Sequence, residues 1–164
     1  MKEKFHLLPE FRVRFAETDM AGVVHFSQIL RWAENAESDF FRCRGVDFAT
    51  VAGGKLRGFP RVKLQAEFVA PARYDDRIVV KIRPLLSGRD GGEKSSAISW
   101  EFVIVAARGD NGGGCDNVEI ARGRWTSVYA EADVAAGTLR RVRELPAEIV
   151  RALSEFARDN PAIE

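Results

Sequence analysis

Ile29, Ala33, Ala36, Phe40 and Cys43 recur at spacings of three and four. That period is the apolar stripe of one α-helix of roughly four to five turns. The helix is expected to start near His25 to Ser27, with Ser27 as its N-cap. Gly45 lies just past its end, where a glycine commonly stops a helix. Almost everything around this helix alternates instead. Phe11, Val13 and Phe15 interleave with Arg12, Arg14 and Ala16, the pattern of a strand with one apolar face. Val62, Leu64, Ala66 and Phe68 mark a second strand, and Ile78, Val80 and Ile82 a third. Ile98, Trp100, Phe102 and Ile104 mark a fourth, and Val118, Ile120, Trp125 and Val128 a less regular fifth. Pro146 opens a short second helix through Ile149, Val150, Leu153 and Phe156, since proline suits a first helical turn.

The order is strand, long helix, four strands, short helix. Residues 46–58, with Gly53, Gly54 and Gly58, read as a loose link. Short polar or glycine-rich connectors, Ala70–Asp76, Ser87–Ser96 and Ala107–Asn117, suit antiparallel neighbours. Such a chain is α+β, with one long helix packed on a face of an antiparallel sheet. No internal repeat and no second domain is visible, so residues 1–164 are expected to form one domain.

Composition narrows the function. The net charge of +1 gives no global electrostatic case for a nucleic-acid or membrane partner. No run of about 18 apolar residues could span a membrane. The N-terminal MKEKFHLLPEF lacks the apolar core of a signal peptide, so a cytoplasmic location is expected. Cys43 and Cys115 have no metal-type spacing and read as reduced thiols. The glycines of GDNGGG, Gly109 to Gly114, are followed by no Lys-Ser/Thr pair and no helix, so a hairpin loop outweighs a phosphate cradle. His6 has no chemical company and reads as surface. Glu34, Glu37 and Asp39 read mostly as the solvated face of the long helix. No metal motif and no GxSxG elbow is present.

The stretch ETDMAGVVHF, Glu17 to Phe26, is the chemical candidate. Asp19 follows a strand, Gly22 permits a tight turn, and a helix starts a few residues later. The first amides of a helix lack internal partners and carry partial positive charge. They can hold a developing oxyanion beside a carboxylate that attacks a carbonyl or activates water. By spacing alone, Asp19 as a residue that merely satisfies turn amides is the stronger reading.

The run FRVRFAETDMAGVVHFSQILRWAENAESDFFR resembles the opening of the 4-hydroxybenzoyl-CoA thioesterase family of hotdog-fold proteins. GFPRVKLQAEFVAPARYDDRIVV, Gly58 to Val80, resembles the family's second block, and the likeness extends over roughly residues 10 to 130. The resemblance implies a hotdog fold, a sheet wrapped around one long helix. It implies acyl-CoA thioester hydrolysis without a cofactor or metal, coenzyme A being part of the substrate. Asp19 matches the family's aspartate, as nucleophile or general base. The Phe26 N–H matches the amide that polarises the thioester carbonyl, and Gly22 the turn that lets the two approach. His25 stands where the family has an aromatic residue; it lines the acyl pocket, bonds a polar substituent, or only packs at the helix start. Lys94 and Ser95 match a basic-plus-Ser segment that meets coenzyme A, with Arg89 in place of arginines nearer that lysine.

Hotdog sites usually form between protomers, and a sheet with open edges needs cover. A homodimer or homotetramer is therefore expected. Two rivals stay open: a hotdog dehydratase or hydratase acting on acyl carriers, for which His25 and Glu34 are the candidates, and a non-catalytic acyl-CoA-binding protein. Trp32, Phe41 and Phe59 are either core or the walls of an aryl pocket, core being the stronger reading.

Overall fold

A computed structural model describes residues 5–85, 96–108 and 116–159. Its long helix α1 spans Phe26–Arg42. Six strands build the main sheet: β1 (His6–Leu7), β2 (Phe11–Arg12), β5 (Arg61–Phe68), β6 (Arg77–Pro84), β7 (Ala97–Arg108) and β8 (Asp116–Val128). Their order is β1–β6–β7–β8–β5, with β2 also on β6, and every pairing is antiparallel. Helix α2, Ala147–Asp159, follows the strands.

The alternation in β6 sets the core. Ile78, Val80 and Ile82 are buried every second residue and meet the stripe of α1, whose Ile29, Ala33, Ala36 and Phe40 are buried too. Burying a side chain such as Phe40 contributes roughly 1.5–3 kcal/mol. Phe40 sits edge-on to Trp100 at 5.0 Å and to Phe156 of α2 at 5.4 Å, so the short helix is packed onto the same core. Trp32, Phe41 and Phe59 are all buried in this cluster. Gly45 ends α1 with φ +67°, and the Val46 N–H reaches back across it to the Phe41 carbonyl.

Four readings of the sequence need correction. The first strand does not run to residue 16: it stops at Arg12, and Phe15–Glu17 turn into a 3-10 helix that leaves Phe15 exposed. Residues 46–58 are no loose link. They hold β3 (Thr50–Ala52) and β4 (Lys55–Gly58), joined through Gly53 and Gly54 at positive φ. With β9 (Ala130–Asp133) and β10 (Thr138–Arg141) these make a second, four-stranded sheet in the order β10–β9–β4–β3. Glu37 and Asp39 are not on a solvated face: both are buried, whereas Glu34 is exposed. His6 is not alone, because its Nε2 lies 3.1 Å from Asp39 Oδ2.

The apolar alternation of β5 also lands in an unexpected place. Val62, Leu64 and Phe68 are all exposed, on the strand at the end of the main sheet.

Candidate active site

The stretch from Glu17 to Phe26 folds into a small hairpin between the 3-10 turn and α1. Thr18 and Val24 form an isolated antiparallel bridge. The Asp19 N–H donates to the Val23 carbonyl at 2.9 Å, and the Gly22 N–H donates to the Asp19 carbonyl at 3.0 Å. Gly22 has φ +72°, a conformation that costs other residues about 1–2 kcal/mol. The sequence folds this way because Asp19 can bond its own turn and Gly22 can take the left-handed position.

Asp19 does act on its own turn: its Oδ1 accepts the Ala21 N–H at 2.8 Å. The other oxygen, Oδ2, has no protein partner among the described residues. Asp19 is exposed, as are Met20, Ala21 and Gly22. The turn role and a chemical role are therefore compatible, since each uses a different oxygen.

His25, not Ser27, is the N-cap of α1. Its Nδ1 accepts the Ser27 N–H at 3.4 Å and lies 2.8 Å from Ser27 Oγ. Its ring tilts against Phe26 with centroids 4.5 Å apart. The Phe26 N–H is the first amide of the helix and makes no hydrogen bond among the described residues. Phe26 is exposed, and its ring meets Phe68 of β5 edge-on at 6.4 Å. The helix start thus touches the open end of the main sheet.

Glu17 ties these parts together, a role no sequence pattern indicated. Its carbonyl accepts the His25 N–H at 3.0 Å. Its Oε1 accepts the buried Trp32 indole N–H at 2.9 Å, and its Oε2 the Arg14 N–H at 2.7 Å. A carboxylate with a tryptophan fifteen residues later carries no recognisable spacing, so this contact is visible only in three dimensions.

Glu37, further along α1, is a second feature missed. Arg61 of β5 donates to its carboxylate at 2.6 Å and to Glu34 at 3.1 Å, and Ser127 Oγ donates to Glu37 at 3.4 Å. Burial pushes the Glu37 carboxyl up to about 7, against the opposing pull of Arg61. His6 is held below its usual range, first by burial, although its bond to Asp39 opposes this.

Lys94, Ser95 and Arg89 lie outside the described residues, as do the GDNGGG run and Cys115. Ser96, next to that segment, is buried and accepts a hydrogen bond from Arg141 Nε at 2.7 Å. Cys43 is an exposed free thiol. Among the described residues no helix is long and apolar enough to cross a membrane.

An antiparallel sheet packed on one long helix, with a carboxylate turn at the helix start, defines a hotdog fold. Residues 21–92 match the model of the family described as the thioesterase superfamily. Among curated proteins it is similar to a 1,4-dihydroxy-2-naphthoyl-CoA hydrolase from Prochlorococcus marinus (strain MIT 9211). The two are 32% identical over 106 residues, covering 60% of this chain and 65% of the relative. The chain spans between about half and two thirds of the length of the curated relatives it matches. Among solved structures it resembles a putative thioesterase from Prochlorococcus marinus, with 25% identity and a TM-score of 0.66 over 93% of this chain and 96% of that one. A 1,4-dihydroxy-2-naphthoyl-CoA thioesterase from Synechocystis shares the fold, with 22% identity and a TM-score of 0.69 over 96% and 98% of the two chains.

Proposed function

We propose that this protein hydrolyses an acyl-CoA thioester, with an aroyl group as the preferred acyl part. One observation carries the reading: Asp19 keeps an uncommitted carboxylate oxygen on the same closed hairpin that ends at the unbonded Phe26 N–H. The curated relatives, which act on a bicyclic aroyl-CoA by name, support the choice of substrate class.

The thioester carbonyl oxygen accepts from the Phe26 N–H, where the helix start stabilises charge that develops on it. Asp19 either attacks the carbonyl carbon, giving a mixed anhydride that water then opens, or takes a proton from water as the water attacks. In both routes the C–S bond breaks, coenzyme A leaves as a thiol, and the hydroxyl of water ends on the acid. Gly22 allows the close approach of the turn. His25 lies beside the acyl group, and Lys94, Ser95 and Arg89 meet the phosphates of coenzyme A as charge and hydrogen-bond partners.

The working unit is a homodimer joined through β5. That strand ends the main sheet and exposes Val62, Leu64 and Phe68. Exposed apolar edge strands are ordinarily covered. Phe68 touches Phe26, so a second copy on β5 sits next to the helix start and encloses an otherwise open site.

A panel of aryl- and alkyl-CoA thioesters assayed for thiol release tests the reading. Fastest release from an aryl-CoA is expected. Binding without thiol release makes the protein a carrier of acyl-CoA, and dehydration of a hydroxyacyl substrate without thiol release makes it a dehydratase; either contradicts the proposal.

A further inference from the structure

We infer that Glu17 is a positioning residue that holds Asp19 and the Phe26 N–H in register by anchoring their hairpin to the buried Trp32. The inference rests on the thioesterase reading of this site. It concerns a residue that touches neither substrate nor water in that mechanism.

Three bonds converge on Glu17 from three places in the chain. Its side chain uses both oxygens, one on the Trp32 indole at 2.9 Å and one on the Arg14 N–H at 2.7 Å. Its main-chain carbonyl takes the N–H of His25, the N-cap of α1, at 3.0 Å. The hairpin carrying Asp19 is therefore closed at its base, between residues 17 and 25, by Glu17 itself. Asp19 stands two residues beyond this closure on one side, and Phe26 one residue beyond it on the other.

The far end of the anchor does not move easily. Trp32 is buried in the core and meets Phe11 of β2 edge-on at 5.3 Å. Close-packed interiors transmit small displacements rather than absorb them. An ionised acceptor on an indole donor is also among the stronger side-chain hydrogen bonds. The strand that carries Asp19 has no other side-chain bond to the core among the described residues: Asp19 bonds only within the turn, and Thr18 Oγ1 donates to the neighbouring Phe15 carbonyl, whereas the returning strand is held by Val24, which packs on the core and donates its N–H to the Ala72 carbonyl at 2.8 Å. Removing the Glu17 side chain leaves the main-chain closure and the Val24 bond to Ala72 intact but frees the strand that carries Asp19 to shift against α1.

The test compares Glu17→Ala, Glu17→Gln, Trp32→Phe and the double variant Glu17→Ala/Trp32→Phe with the wild type and Asp19→Asn. Thermal melts run beside thiol-release kinetics. Misplacement of a reacting group by about 1 Å can cost on the order of 100-fold, so Glu17→Ala and Trp32→Phe are expected to lower kcat by roughly 10- to 100-fold. KM should stay within about threefold, because binding contacts are not touched. The double variant should be no slower than Glu17→Ala, since both changes break one bond. Glu17→Gln should fall between, because its single amide oxygen can serve Trp32 but not Arg14 as well.

Single variants that melt like the wild type and keep kcat within about twofold overturn the assignment, as do losses that multiply in the double variant. So does an activity loss that tracks only the unfolded fraction. Those results leave the thioesterase reading standing as long as Asp19→Asn is impaired. Absence of thiol release by the wild type overturns that reading, and this assignment with it.

Discussion

Arg61, on the edge strand β5, reaches into α1 and donates to the fully buried Glu37 carboxylate at 2.6 Å. This bond joins the strand proposed to meet a second copy to the helix that starts at the site. It also leaves an ionisable group in the interior whose state depends on pH.

Glu37 titrates near 7 in the folded chain, against an ordinary value of 4.5. Between those two values the folded chain keeps a proton that the unfolded chain has lost, so stability falls as pH rises from about 4.5 to about 7 and then levels off. The effect is on the order of 3 kcal/mol at most. Glu37→Gln keeps the shape and an acceptor for Arg61 but removes the proton exchange. Urea melts at pH 5 and pH 8 should show a smaller pH difference for this variant than for the wild type. Parallel pH dependence in the two proteins would contradict the raised titration.

Gly22 should tolerate a methyl group sterically but not conformationally. A Cβ there meets nothing within 4 Å, yet φ is +72°. Gly22→Ala is expected to cost about 1 kcal/mol, which corresponds to roughly 2–4 °C in melting temperature for a chain of this size. It should also slow thiol release by disturbing the Asp19 turn. An unchanged melt would show that the turn accepts another geometry.

Gly123 is the opposite case. A Cβ on it would lie 2.2 Å from the Gln65 carbonyl and 2.6 Å from the Phe102 ring. Its neighbours are backbone and a fully buried ring, so neither yields cheaply. Gly123→Ala is expected to destabilise by about 3 kcal/mol, at the upper end for overpacking, and to loosen the β5–β8 pairing in hydrogen exchange. Wild-type stability in a denaturant melt would rule out this crowding.

The β5 surface predicts the assembly. Val62→Lys/Leu64→Lys places two charges on its exposed apolar row. Sedimentation should give a dimer or larger for the wild type and a monomer with little activity for the double variant. A wild type that sediments as a monomer, or a variant that stays dimeric, removes the shared-site picture.

The long helix was legible because its stripe repeats through four turns, and strands β6 to β8 because one face of each is buried. Strands β3, β4, β9 and β10 were not. They are three or four residues long, and no residue of β4 or β10 is buried, which leaves no alternation to read. Phe15 continued the alternation of Phe11 and Val13, but the chain turns after Arg14 and carries it into solvent. Glu37 lies on the apolar stripe itself. Its charge suggested solvent, and Arg61 and Ser127, both distant in sequence, make its burial tolerable.

The site was legible in part. Asp19 and Gly22 lie in one hairpin that leads directly into Phe26 at the helix start, and His25 rather than Ser27 caps the helix. Spacing gave only a turn, because an aspartate that bonds its own turn and one that also offers a second oxygen look identical in sequence. Glu17 and Trp32 were invisible as a pair for the same reason as Glu37 and Arg61: the bond depends on how elements pack.

The most direct measurement is thiol release from the best aryl-CoA substrate by Asp19→Asn. The substitution keeps size and the acceptor for Ala21 while removing the charge that attacks or deprotonates. A fall of at least about a hundredfold in kcat, with a melt like that of the wild type, is the expected result. Full activity in the folded variant would contradict the account at its centre, because the carboxylate would then have no part in breaking the thioester.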